Sequence, residues 1–344
     1  MKIVVVKNSN DSRIALAPVD VKKLVAMSHE CFFVKGSGLD SGFSDETYIN
    51  AGAKILDSNS LYEMLKTVDL VVSTKIISDD KILNSVSKNV LFITSVNSFL
   101  NSKLLEKYKK LGLQVFGMEL LPRITRTQNM DILSSQSNIA GYKAVIEAVH
   151  EYGRVCPMMT TAAGTIKPAR FLVIGAGVAG LQAIATAKRL GGVVYVFDVR
   201  AAAKEQVESL GGVFVEVESK ENLESKDGYA KETSEEYKKA QQIKLEEEIK
   251  KADIVITTAN IPGRAAPKLV TVDMIKSMKN GSVIVDLAAE MGGNTDLTEC
   301  NKRVKKDGVL IIGDSNMPAL VAESSSSLFS SSVFNLINHI IKDN

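Results

Sequence analysis

An apolar run, Phe171–Ile174, passes directly into the glycines Gly175, Gly177 and Gly180 and then into a helix-like segment, Ala179–Leu190. Few local patterns constrain a fold more tightly. The first glycine permits a tight turn, the second lets a phosphate approach the main chain, and the third lets helix and strand pack closely. Ala176 and Val178 complete the turn, and the helix that follows points its free N–H groups and positive end at an anion. Asp198 ends the next strand, Val193–Phe197, where a carboxylate meets the hydroxyls of an adenosine ribose. A carboxylate there repels a 2′-phosphate and favours NAD(H). Arg200 lies close enough to complicate that choice.

The same alternation of strand and helix signals runs through the whole chain. Near the N-terminus, Ile3–Val6, Cys31–Val34, Leu70–Ser73, Val90–Thr94 and Leu113–Phe116 read as strands, with helices at Pro18–Met27, Leu61–Lys66 and Ser102–Leu111. Further on, a helix over Asn138–Tyr152 leads to a Thr160–Gly164 loop. Strands at Ile254–Thr257, Val283–Asp286 and Val309–Ile312 then join the two around the glycines. Short strands separated by helices imply parallel sheets covered on both faces. The expected architecture is α/β, two Rossmann-like doubly wound domains with a cleft between them. A serine cluster, Ser324–Ser332, precedes an amphipathic segment, Leu328–Ile341, which is expected to return to the first domain. The boundaries are then 1–135 with 323–344 for a discontinuous first domain, and 136–322 for the second. The Lys- and Glu-rich stretch 219–251 reads as an exposed loop and a charged helix, a solvated surface on composition alone.

At 344 residues the chain suits two domains of ordinary size. A net charge of +2 gives no electrostatic reason to bind nucleic acid or an anionic membrane. No apolar run reaches the length that spans a bilayer, and Met1–Arg13 has no signal-peptide pattern. Cys31, Cys156 and Cys300 are far apart, as are His29, His150 and His339, so a metal or disulfide framework is not expected and a reduced, cytoplasmic setting is.

Upstream of the glycines lies an unusual cluster, RITRTQNMDILSSQSNIAGY, spanning Arg123–Tyr142. With Pro122–Val145, the blocks Gly175–Arg200, Asp227–Ser234 (DGYAKETS), Thr257–Thr271 and Gly281–Asn294 resemble the NAD(H)-binding component, domain I, of proton-translocating nicotinamide nucleotide transhydrogenase. The blocks keep the family's order over almost the entire chain. The resemblance implies a homodimer that associates with membrane-spanning subunits and with an NADP(H)-binding domain of a β subunit. The chain is then peripheral on the inner face of the membrane. It also implies that Arg123, Gln128, Asp131 and Ser134 grip the nicotinamide end, where a carboxamide and ribose need donors and acceptors. Asp131 with Arg123 also reads as a plain ion pair. Val178, Asp198, Val199 and Arg200 match adenosine-side contacts. Gly228, Tyr229 and Ala230 match a mobile loop, about 219–240, that closes over nucleotide, and Gln241 and Asn260 fall near further contacts. The family often has leucine where Asn260 stands.

Alanine dehydrogenase is similar in architecture. Arg13 and Lys75 match its substrate-carboxylate residues, and Glu290 falls near its catalytic aspartate. Amino-acid oxidation moves a proton and uses a histidine as acid–base group. At the corresponding place, after Val90–Thr94, this chain reads Ser95–Leu100 (SVNSFL), and Asn97 shuttles no proton. Hydride transfer between two nicotinamides needs approach, orientation and exclusion of water, with no acid–base residue. The expectation is therefore a transhydrogenase component binding NAD(H), with NADP(H) on a partner domain, and an alanine dehydrogenase-like oxidoreductase as the disfavoured alternative.

Overall fold

A computed structural model describes residues 1–216, 235–261 and 263–342, the side chains of 235–238 and 342 excepted. The chain divides into two compact units, Met1–Gln136 with Pro318–Asn344, and Ser137–Met317.

The first unit is built on β1 (Lys2–Val5), α1 (Pro18–Ala26), β2 (Glu30–Val34), α2 (Asp45–Asn50), β3 (Lys54–Leu56) and α3 (Ser58–Leu65). It continues through β4 (Leu70–Val72), α4 (Asp80–Ser85), β5 (Leu91–Thr94), α5 (Ser102–Leu111) and β6 (Gln114–Gly117). All six strands pair in parallel in the order β3-β2-β1-β4-β5-β6. Successive side chains of a strand face opposite ways, and β1 shows the result. Ile3 and Val5 enter one apolar cluster with Leu24 and Phe33, while Val4 enters another with Phe92 and Tyr108. Both faces are covered, which is why parallel strands read as unbroken apolar runs.

Helix α6 (Ile132–Tyr152) follows, then a hairpin of β7 (Met159–Thr161) and β8 (Gly164–Ile166). The second unit's sheet comes from β9 (Arg170–Ile174), α7 (Val178–Arg189), β10 (Val193–Phe197), α8 (Ala203–Ser209), β11 (Val213–Phe214) and, after α9 (Glu235–Ile249), β12 (Ile254–Thr257). Then come α10 (Val272–Lys276), β13 (Val283–Asp286), β14 (Arg303–Lys306) and β15 (Val309–Ile312). The order is β11-β10-β9-β12-β13-β15-β14, parallel except for the edge strand β14. In each sheet the order reverses beside its first strand, at β1/β4 and at β9/β12. Such a reversal opens a crevice at the carboxyl ends of the strands.

The last helix, α11 (Ala322–Lys342), belongs to the first unit. It starts earlier than Leu328 and absorbs the serine cluster. Ser325, Ser326 and Ser330 are fully buried. Ser326 Oγ accepts from Ile14 N at 2.9 Å, and Ser330 Oγ accepts from Ala17 N at 2.8 Å while donating to Asp20 Oδ2 at 2.6 Å. The irregular segment after β1 has no ladder partner, so these hydroxyls satisfy its buried amides. Phe329, Val333, Leu336 and Ile337 carry the helix's apolar side into the same core as Ile14 and Leu16.

Two other segments differ from expectation. Helix α6 begins at Ile132, six residues before Asn138, because Asp131 Oδ1 accepts from Ser134 N at 2.9 Å as an N-terminal cap. The Thr160–Gly164 loop is a hairpin, closed by Gly164 with a φ of 137° that favours glycine.

Candidate functional site

The glycine turn sits at the reversal in the second sheet, where β9 ends. Gly175 has a φ of 99°, and its N–H donates to Phe197 O at 2.8 Å. A Cβ on Gly180 would lie 1.9 Å from Gly175 O, so α7 can start where it does only without one. A Cβ on Gly177 would meet nothing within 4 Å. The second glycine therefore faces open space, at the N-terminus of a twelve-residue helix whose first turn has free amides. Val178 is that helix's first residue and is half-buried.

Asp198, at the end of β10, is heavily engaged. Its Oδ2 accepts from Ala176 N at 2.6 Å and from Arg200 Nη2 at 2.8 Å, and its Oδ1 from Arg200 N at 2.8 Å and Nε at 3.0 Å. The carboxylate thus joins the glycine turn to β10, and Arg200 folds onto it as a bidentate partner. Val199 between them packs against the core beneath. Thr258, directly after β12, donates from Oγ1 to Gly175 O at 2.9 Å and so completes the turn's second wall. Asn260 is exposed two residues later, and Gln241 is half-buried on α9. Gly228, Tyr229 and Ala230 lie outside the described residues.

In the first unit, Arg123, Gln128, Asp131 and Ser134 all line one cavity of about 370 Å³, with Glu119, Leu121, Ile124 and Leu133 among its other walls. Ser134 Oγ donates to Asp131 Oδ2 at 2.6 Å and accepts from Arg123 Nη2 at 3.0 Å. Arg123 and Asp131 approach to 3.8 Å. A cation, an anion, a hydroxyl and an amide therefore share one small space, which suits a ligand carrying both donors and acceptors. Beside it, Glu119 Oε1 accepts from Val96 N at 2.7 Å and Asn97 N at 2.6 Å, fixing the turn in which Asn97 has a φ of 44°.

Arg13 is not a surface contact. It is 6% exposed and bidentate to Asp11, with Nη1 donating to Gln136 Oε1 at 2.7 Å. Asn8 and Thr74 close the same cluster at the carboxyl ends of β1 and β4, and Lys75 N donates to Asn8 Oδ1 at 3.0 Å. Glu290 is exposed. Among the described residues no group of His, Cys, Asp and Glu could hold a metal.

Three positions escaped the sequence reading. Thr258 carries no motif of its own, and Asn294 acts only through its partners. Gly141 lets α6 touch α7, since a Cβ there would lie 2.1 Å from Ala179 O. A glycine inside a long helical pattern is the one signal that pointed to it.

Family models for the N-terminal and C-terminal domains of alanine dehydrogenase/PNT match residues 4–140 and 144–344. The chain belongs to the alanine dehydrogenase/PNT family. Within that family it is 45% identical to the first of the chains that make up NAD(P) transhydrogenase subunit alpha in Rhodospirillum rubrum, over 100% of this chain and 91% of the relative. The crystal structure of transhydrogenase from Sinorhizobium meliloti superimposes with a TM-score of 0.88 at 40% identity, covering 99% of this chain and 95% of that one. Alanine dehydrogenase 1 of Staphylococcus aureus is more distant, 28% identical over 94% of this chain and 83% of its own.

Proposed function

We propose that this protein is the NAD(H)-binding α component of a Re/Si-specific, proton-translocating nicotinamide nucleotide transhydrogenase. NADH binds with its pyrophosphate on the Gly175–Gly180 turn and its adenosine ribose toward Asp198. Arg200 swings or tilts to admit the hydroxyls. Arg123, Gln128, Asp131 and Ser134 hold the nicotinamide end, and Gly228, Tyr229, Gln241 and Asn260 add contacts. Hydride passes from C4 to the C4 of NADP+ carried by the β subunit's NADP(H)-binding domain. Membrane-spanning subunits move the proton, and the chain sits on the inner face of the membrane within that assembly.

One observation carries the reading. The two clusters are rich in groups that bind and orient, yet the turn after β5, where an amino-acid dehydrogenase needs its acid–base histidine, holds Asn97 tied to Glu119. The relatives near 45% identity, named as transhydrogenase subunits, support it further. A homodimer fits the β7–β8 hairpin, which is isolated from both large sheets and exposes Met158, Met159 and Ile166. A lone two-stranded hairpin with apolar side chains in water is poorly stable without a partner surface.

The test is hydride transfer from NADH to an NADP+ analogue, with and without an NADP(H)-binding domain from a related transhydrogenase. Transfer that depends on the added domain is the expected result. Turnover of alanine with NAD+ and no partner would overturn the proposal.

A further inference from the structure

Asn294 is fully buried, and every polar atom it has is in use. Its side-chain amide pairs with both main-chain groups of Ala259: Ala259 N donates to Oδ1 at 3.0 Å, and Nδ2 donates to Ala259 O at 2.8 Å. That is the reciprocal pattern one strand offers another. The remaining Nδ2 hydrogen goes to Pro267 O at 2.9 Å. One amide thus holds both feet of the segment 259–267. Lys268 adds a second tie, donating from Nζ to Gly292 O at 2.6 Å and Thr295 O at 2.7 Å. Asn294 is itself anchored, its N–H donating at 2.7 Å to the fully buried Asp286 Oδ2.

Between the clamped feet, Asn260, Ile261 and Gly263–Ala265 are exposed. A saturated buried network beneath an exposed segment fixes that segment's shape. The segment also starts at a meaningful place. It leaves the carboxyl end of β12, one residue after Thr258 closes on Gly175. In a doubly wound sheet the β9–β10 half takes the adenosine mononucleotide, and the half across the reversal takes the nicotinamide mononucleotide.

We propose that Asn294, supported by Lys268, is a positioning residue for the nicotinamide half of the bound dinucleotide. It acts by holding the 260–265 arch in place at the β12 side of the crevice. The inference rests on the NAD(H)-binding reading above. It assigns no chemical step to Asn294, only the placement of residues that touch the ligand.

Calorimetric titration of the full chain with NADH and with 5′-AMP separates the two halves. Asn294→Ala should weaken NADH about tenfold and Lys268→Ala about threefold, with 5′-AMP shifted less than about twofold in both. A structural defect alone would move both ligands together, and that result overturns the proposal. So does NADH affinity unchanged in both variants. If Asn294→Ala does not fold by circular dichroism, Lys268→Ala decides alone: a selective loss of NADH supports the proposal and no loss refutes it. Wild-type protein that binds no NADH would instead remove the reading on which the inference stands.

Discussion

Gly177 and Gly180 lie three residues apart in one turn, yet adding a methyl group to each should produce opposite phenotypes. At Gly180 the Cβ would sit 1.9 Å from Gly175 O, whereas real Cβ contacts essentially never fall below 3.0 Å. The start of α7 must therefore move by about 1.1 Å against the end of β9, at a place where main chain meets main chain and no side chain can yield. Overpacking of this severity costs about 3 kcal/mol. For a chain of this size that lowers Tm by roughly 6–12 °C. At Gly177 the φ is −75°, which any residue adopts, and the Cβ meets nothing within 4 Å. The slight cap disadvantage of alanine is offset by the lower entropy of its unfolded chain, so stability should stay within about 1 kcal/mol of wild type. The methyl group would nonetheless stand where a pyrophosphate must approach the amides of α7. Differential scanning calorimetry with NADH titration checks both. Gly180→Ala should lose stability and binding together, whereas Gly177→Ala should lose only binding, by about 100-fold if two phosphate hydrogen bonds are broken. Native NADH affinity in Gly177→Ala would refute the placement of the phosphates on this turn.

Ser330→Ala leaves Ala17 N and Asp20 Oδ2 without their partner, and denaturant unfolding should show a loss of about 2–3 kcal/mol. Burial pushes the Glu248 carboxyl up, but hydrogen bonds from Lys251 and Arg170 outweigh it and hold it below its ordinary 4.5. A depressed carboxylate stabilises the fold above its unfolded pKa and loses that contribution as pH falls through its lower folded value. Stability should therefore drop below about pH 4.5, less steeply in Glu248→Gln, as followed by circular dichroism across an acid titration. Burial raises the Cys31 thiol to about 12 and also raises Cys156, while Cys300 is exposed. A thiol reagent at about pH 8 should titrate one cysteine rapidly in the native protein and the other two only on unfolding.

The strands around the glycine turn were legible because burial on both faces leaves an unbroken apolar run, and β10, β12, β13 and β15 fall on the residues the pattern marks. Short edge strands such as β3 and β11 carry no such run and become strands only by pairing with β2 and β10. The serines of α11 were misread for a different reason. Serine favours caps and turns in isolation, and its place inside a buried helix follows from amides at Ile14 and Ala17, more than 300 positions away in sequence. The Asp131 cap was visible as a local pattern, but its residues were read for ligand contact and not for helix initiation. In the candidate site, single residues were readable and their mutual engagement was not. Nothing in the sequence says that Arg200 folds onto Asp198, or that Asn294 spends its whole amide on Ala259 and Pro267.

The hydroxyl contacts between α11 and the segment after β1 also bear on how the protein is made. The second unit is one uninterrupted stretch, Ser137–Met317, and contains all of its own sheet. The first unit leaves the ribosome earlier but lacks the helix that covers Ile14, Leu16 and Leu24 until the last residues are translated. The amino-terminal portion must then wait, its apolar side uncovered, while the later-synthesised portion is already able to fold. The order of completion is the reverse of the order of synthesis, and the interval between them is when nascent chains would most need a chaperone.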